Sequence, residues 1–385
     1  MINIFQPSLG HQEINAIKKV FESNWLGRGE VVQEFERKFS DNLRSDKNKF
    51  YAITSCTEGL FLAAKLFNFQ PEDEIIVPTI SFIAAGSAVI DAGAKLVLCD
   101  VDKNSLNATA ETISDKITNN TKAIILNHYG GHPCDMDGIL KLAKKHNIYI
   151  IEDSACAVQS FYKGIACGTM GDMGLWSFDA MKSVVTGDGG MIYLRSDDLM
   201  GKAKEQCYLG LPERSTSGMD KAKEGEDIWW EVQINRPGRR SIMNNVTAAM
   251  GVVQMDRLQE FTDRKKEIYE AYDNAFSSID WIDIPPKLIE GCINSYYFYW
   301  IQVTERNKLA HYLKEHGVYT TFRYWPLSRV DYFPGNNPLD FPNTEYAAEN
   351  TLNLPIHQNL SDSNIEKIIE LITNFHSNKV GKIET

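Results

Sequence analysis

Tyr149-Ile150-Ile151-Glu152-Asp153-Ser154-Ala155 decides the fold: an apolar run ends abruptly on acids and then on small polar residues. An uninterrupted apolar run of this length is what a strand covered on both faces requires. Similar runs lie at 74–77, 96–99, 123–126, 148–151 and 191–194. Between two of them, residues 137–146 place Ile139, Leu140, Leu142 and Ala143 at helical spacing ahead of Lys144, Lys145 and His146, an amphipathic crossover helix. Residues 51–194 therefore read as α/β, with parallel strands joined by helices.

Working outward, Ile14, Ile17, Val20 and Phe21 form a helical stripe that runs into Trp25-Leu26-Gly27-Arg28-Gly29, whose glycines are expected to end it. Residues 210–235 are rich in charge, Gly and Ser yet hold Trp229 and Trp230, and read as an insertion. From Asn244 a helix carries Val246, Ala249, Val252, Met255 and Leu258 toward a second unit. An aromatic strand at 296–303 and helices at 308–316 and 362–375 make that unit a smaller α/β domain. The expected division is a large domain over 1–255, with a mainly parallel sheet flanked by helices, and a small C-terminal domain over 256–385.

Bulk properties narrow the function. The 385 residues are 43% apolar and 24% charged, ordinary for a folded soluble protein. A formal charge of -11 disfavours nucleic acid, which binds through Lys and Arg on phosphates. No segment nears the roughly 20 apolar residues that cross a bilayer, and residues 1–7 lack the layout of a secretory signal. Seven scattered cysteines form no CxxC pair, so reduced thiols are expected, with no metal site, in a cytoplasmic protein.

Ser177-Phe178-Asp179-Ala180-Met181-Lys182 leads into Gly187-Asp188-Gly189-Gly190 and another strand. A lysine held beside a glycine turn suits an amine that must meet a carbonyl at fixed geometry; a surface lysine in a loop is the alternative. Asp153 lies at a strand end, where open α/β sheets bind ligands. A carboxylate there can pair with a protonated pyridine nitrogen, at about 4 Å a gain of roughly 4 kcal/mol, or about three pKa units. Its alternative role is a helix cap. Thr54-Ser55-Cys56-Thr57-Glu58-Gly59 opens an apolar helix, so Cys56, Thr57 and Glu58 are candidates to hold a phosphate, or simply cap the helix. Phe82 follows another strand end and offers a flat face to an aromatic ligand, or joins the core.

Taken together, these stretches resemble the nucleotide-sugar aminotransferase family of the DegT/StrS type, pyridoxal-phosphate enzymes of fold type I. The resemblance also rests on Ser23-Asn24-Trp25-Leu26, Gly130-Gly131-His132-Pro133-Cys134-Asp135-Met136-Asp137, Tyr162-Lys163-Gly164, Gly171-Asp172 and Leu354-Pro355-Ile356-His357. It implies that Lys182 carries pyridoxal 5′-phosphate as a Schiff base, that Asp153 meets the ring nitrogen and that Phe82 stacks on the ring. Thr57, the amide of Glu58 and Ser177 would hold the phosphate. Two positions depart from the family pattern. Cys156 stands where His or Gln usually contacts the ring-hydroxyl side, and Arg240 stands where Asn usually reaches the partner subunit's phosphate. Arg240 could make that contact with charge assistance.

The resemblance also implies a homodimer with shared sites, glutamate as amino donor and a nucleotide-linked keto sugar as acceptor. Trp25, Arg28, Arg239, Arg323 and Tyr324 lie in segments similar to the family's substrate loops, where arginines can balance a diphosphate. The expected reaction converts dTDP-4-keto-6-deoxyglucose to its 4-amino-4,6-dideoxy product for surface polysaccharide such as O-antigen. Amination at C3, a UDP or GDP sugar, a free keto-sugar acid, and a sugar-binding protein without turnover are the alternatives. Sugar 3-dehydratases of this fold replace the lysine or add cluster cysteines, which Lys182 and the scattered cysteines oppose.

Overall fold

The computed structural model describes residues 1–211, 228, 230–231, 234, 236–333 and 337–375; most of the 210–235 insertion, Trp229 included, lies outside the described residues. The apolar runs form strands β1 (Phe50–Ile53), β2 (Glu74–Pro78), β3 (Lys95–Cys99), β4 (Thr121–Asn127) and β5 (Tyr149–Asp153). A short hairpin, β6 (Phe161–Tyr162) and β7 (Ile165–Ala166), precedes β8 (Met173–Ser177) and β9 (Gly190–Leu194). Seven of these make one sheet in the order β1-β9-β8-β5-β4-β2-β3.

Both faces of this sheet are covered, which is why its strands are apolar throughout. Ile75, Val77, Ile125, Ile151 and Leu175 face one core, while Ile76, Ile124, Leu126 and Ile150 face another. Side chains alternate along a strand, so Asn127 and Asp153 share the face of Ile125 and Ile151. Glu152 points the opposite way.

The pairs β2/β3, β2/β4, β4/β5 and β5/β8 are parallel. The strand at 191–194 departs from the parallel expectation: β9 runs antiparallel to both β8 and β1. Residues 178–189 contain no helix, and a parallel neighbour needs a long crossover, so the chain turns straight back. The same turn holds Lys182.

The first helix spans His11–Glu22 and buries Val20, but Ile14 and Phe21 stay 60% and 56% exposed. It ends before the glycines expected to stop it, because Asn24 takes a left-handed φ of 56° and turns the chain. A long helix, Asn245–Phe276, opens with Asn244 accepting from the Thr247 amide at 3.0 Å. Ala248, Met255 and Leu258 pack beneath the large sheet. Further along, Ile268, Tyr272 and Phe276 join a separate core. That second core includes β10 (Tyr299–Gln302), β11 (Thr351–Leu354) and the helices Arg306–Glu315 and Asp362–Thr373. β10 is shorter than the expected 296–303 run, since Tyr296 has a left-handed φ of 54°.

Candidate active site

A cavity of about 410 Å³ opens at the carboxyl ends of β4, β5 and β8, the position where open α/β sheets bind ligands. Asp153 ends β5 inside it. Its Oδ1 accepts from the Ala155 amide at 3.1 Å, and the side chain is otherwise sealed from water. Burial pushes this carboxyl above the usual range, opposed by the Ala155 amide and by Lys182.

Lys182 supplies the amine. Its Nζ lies 3.8 Å from Cys156 Sγ and 5.0 Å from the centre of the Tyr297 ring. Burial opposes its charge, yet Cys156, Tyr297, Tyr324 and Asp153 together hold its pKa above the ordinary lysine value. The turn carrying it is pinned, since Tyr297 Oη donates to the Met181 carbonyl at 3.1 Å and the Lys182 amide donates to the Asp179 carbonyl at 2.9 Å. Cys156 Sγ also meets Tyr324 Oη at 3.5 Å. Burial raises the pKa of both Cys156 and Tyr324, opposed in each by Lys182.

One end of the cavity is the start of the helix Cys56–Leu66, where Ser55 Oγ accepts from the Glu58 amide at 3.1 Å. Ser55, Cys56, Thr57 and Ser177 line the wall there, and the positive end of the helix favours an anion. Phe82 is 46% exposed into this space, its ring edge-on to Tyr324 at 5.6 Å. Arg323 lines the rim, its guanidinium 5.1 Å from the Phe5 ring.

The remaining candidates stand elsewhere in the chain. The Glu58 carboxylate bonds Arg239 at 3.2 Å and Ser241 at 2.9 Å, behind the helix start. Arg28 pairs with Glu36 at 2.8 Å and lies 3.9 Å above the Tyr51 ring. Trp25 is 61% exposed, and its indole N–H donates to the Arg28 carbonyl. Arg240 sits over Tyr208 at 5.7 Å.

The sequence pattern of the DegT/DnrJ/EryC1/StrS aminotransferase family matches residues 7–373. The chain belongs to that family. It is 41% identical over 372 residues to a dTDP-4-dehydro-2,3,6-trideoxy-D-glucose 4-aminotransferase of Saccharopolyspora spinosa, covering 96% of this chain and 95% of the relative. The crystal structure of an aminotransferase, TlmJ from Streptoalloteichus hindustanus, superposes with a TM-score of 0.90 at 44% identity, covering 97% and 98% of the two chains. A sugar aminotransferase from Streptococcus pneumoniae in its PLP form gives 0.87 at 25% identity, covering 96% and 97%.

The protein is therefore a pyridoxal-phosphate-dependent aminotransferase, and its cavity suits that cofactor. A buried carboxyl with no ion pair among the described residues, an amine one strand away, a flat aromatic face and hydroxyls at a helix start suit ring nitrogen, carbonyl, ring and phosphate in turn. Two groups escaped the sequence reading. Asn127 lines the cavity and is buried, although a polar residue ending an apolar strand is a usable signal. Lys265, inside a charged helical stretch, gave no such signal. It is buried, its Nζ donates to Ser183 Oγ at 2.7 Å, and burial lowers its pKa to about 7.

Proposed function

We propose that this aminotransferase moves an amino group from glutamate to C4 of a 4-keto-6-deoxyhexose linked to dTDP, making a 4-amino-4,6-dideoxy sugar for surface polysaccharide. One observation carries the reading. The Lys182 amine and the Asp153 carboxyl meet in one buried cavity, in a chain 41% identical to a dTDP-sugar 4-aminotransferase. That relative's substrate lacks two further hydroxyls, which favours a 2,3,6-trideoxy sugar as the second reading.

In this reading Lys182 holds the cofactor and, once released from it, moves a proton between the amino-bearing carbons. Pyridoxal phosphate supplies the electron sink that makes such a proton acidic. Asp153 gives the ring nitrogen a buried counter-charge. Phe82 covers the ring face, and Cys56, Thr57, the Glu58 amide and Ser177 hold the phosphate. Tyr297 and Tyr324 close around the amine and keep water from it. Arg323 is the cavity-lining cation available for the sugar diphosphate, with Trp25, Arg28 and Arg239 further out.

The reading includes a homodimer in which Arg240 meets the phosphate in the partner subunit. Exposed Ile14, Phe21, Trp25 and Leu26 support a covered face. Free cysteines throughout and, among the described residues, no helix long and apolar enough to cross a membrane support a cytoplasmic site.

Mass spectrometry and NMR of products from pyridoxal phosphate, glutamate and dTDP-4-keto-6-deoxyglucose test the reading beside a Lys182→Ala control. An amine at C4, absent with the control, is expected. Wild-type protein that keeps its cofactor chromophore but forms no amine on this sugar or its 2,3-dideoxy counterpart would overturn the substrate.

A further inference from the structure

Asn127 ends β4 in register with Asp153 at the end of β5. Neighbouring strands lie about 4.8 Å apart and in-register residues point to the same face. Both side chains line the cavity. Asn127 is 7% exposed, and its Oδ1 is fully buried without a hydrogen-bond partner. Among the described residues, nothing donates to or accepts from this carboxamide. Its neighbours are engaged: Asp153 with Ala155, Ser177 Oγ with the Asp179 amide, and Cys156 Sγ with Tyr324 and Lys182. The sealed Oδ1 is an acceptor that a ligand in the cavity does not reach, so the side-chain N–H is the group this carboxamide offers there.

Ring chemistry says which group. In pyridoxal phosphate the phenolic oxygen and the phosphate arm flank the carbonyl-bearing carbon on opposite sides. Ser55 and Thr57, which follow β1, and Ser177, which ends β8, lie on one side of β5 in the sheet order; β4 lies on the other. A ring with its nitrogen at Asp153 and its phosphate arm toward Ser177 turns its phenolic oxygen toward β4. There β4 ends on Asn127.

Resting on the cofactor reading above, we propose that the Asn127 carboxamide donates a hydrogen bond to the phenolic oxygen of the bound cofactor. Cys156, engaged with Tyr324 and Lys182, leaves that contact to Asn127. The side-chain N–H stabilises the oxygen as an anion, and so sets the pH at which the chromophore gains its proton. Asn127 is a positioning residue and not an acid or base.

The test is a pH titration of the cofactor's absorbance in full-length holoenzyme, wild type beside Asn127→Ala and the isosteric Asn127→Asp, with cofactor affinity measured in parallel. A wild-type chromophore that Lys182→Ala lacks first secures the cofactor reading independently. Asn127→Ala is expected to raise the chromophore's pKa by about one unit, a tenfold change or about 1.4 kcal/mol, and to weaken cofactor binding by about tenfold. Asn127→Asp, which replaces the donor with an acceptor, shifts the pKa further upward and serves equally if Asn127→Ala does not fold. The cofactor-free Asn127→Ala protein should melt no lower than wild type, because the side chain has no protein partner to lose. A titration and affinity unchanged in both variants would overturn the contact and leave the cofactor reading intact.

Discussion

Asp153, Ser177 and Lys182 stand at strand ends or just past one, whereas Arg28, Arg239 and Arg240 stand on connections, and the two sets meet different fates. Asp153 and Ser177 converge on one cavity because register and side-chain alternation fix where a strand-end residue points, and Lys182 joins them because its turn is pinned by Tyr297 and Asp179. The second set finds the nearest carboxylate or ring: Glu36 for Arg28, Glu58 for Arg239 and Tyr208 for Arg240. Long side chains on loops satisfy local electrostatics first. Short ones on a rigid sheet are aimed.

This contrast can be broken by substitution. Lys182→Ala should remove transamination by about 10⁴-fold or more, since anchor and proton carrier are lost together; the product assay reads it, and residual activity above about one percent of wild type would break the contrast at its strongest point. Asp153→Asn keeps the shape and removes the charge. If the ring pairing is worth roughly 4 kcal/mol, the rate falls about 10³-fold, measured by single-turnover kinetics on holoenzyme.

Lys265 sharpens the comparison, because it is a buried amine on a rigid helix that, among the described residues, forms no ion pair with a carboxylate. Its pKa falls from 10.5 to about 7 on folding. Between those values the unfolded chain holds the extra proton, so this group's contribution makes stability rise with pH, and its penalty is complete below about 7. Lys265→Met should therefore stabilise the protein at pH 7, by on the order of 2–3 kcal/mol once the lost Ser183 bond is deducted. The gain should vanish near pH 10, as denaturant titrations at several pH values will show. For Arg28→Ala the expected change is smaller: about 2 kcal/mol of stability, because the largely buried Glu36 loses its partner. The KM for the sugar should move little, and a tenfold rise in KM at unchanged melting temperature would instead make Arg28 a substrate contact.

The sheet was legible because strands covered on both faces must be apolar, and the site's centre because Asp153 closes such a run and Lys182 follows another. Glu152 shows how far that logic reaches. One residue earlier in the same strand, it turns away to bond His128 and the amides of Gly168, Met170 and Gly171. Other features depend on distance along the chain. The antiparallel β9 follows from a missing helix, which an apolar run does not report. The ion pair Arg28–Glu36 links residues eight apart through the packing of a loop on a helix, and Arg239–Glu58 joins residues 181 apart. Lys265 reads as one more charge in the Asp263–Asn274 stretch until the second core closes over it. Asn127 could have been noticed at the end of β4, but only the packed cavity reveals that nothing in the protein answers its carboxamide.

The central claim is that one lysine, aimed by the β8–β9 turn, carries the cofactor. Borohydride reduction of the holoenzyme followed by peptide mapping tests it directly. A single pyridoxyl-modified peptide bearing the label on Lys182 is expected. Label on Lys265 or another lysine, or no label in protein that still shows the bound chromophore, would contradict it.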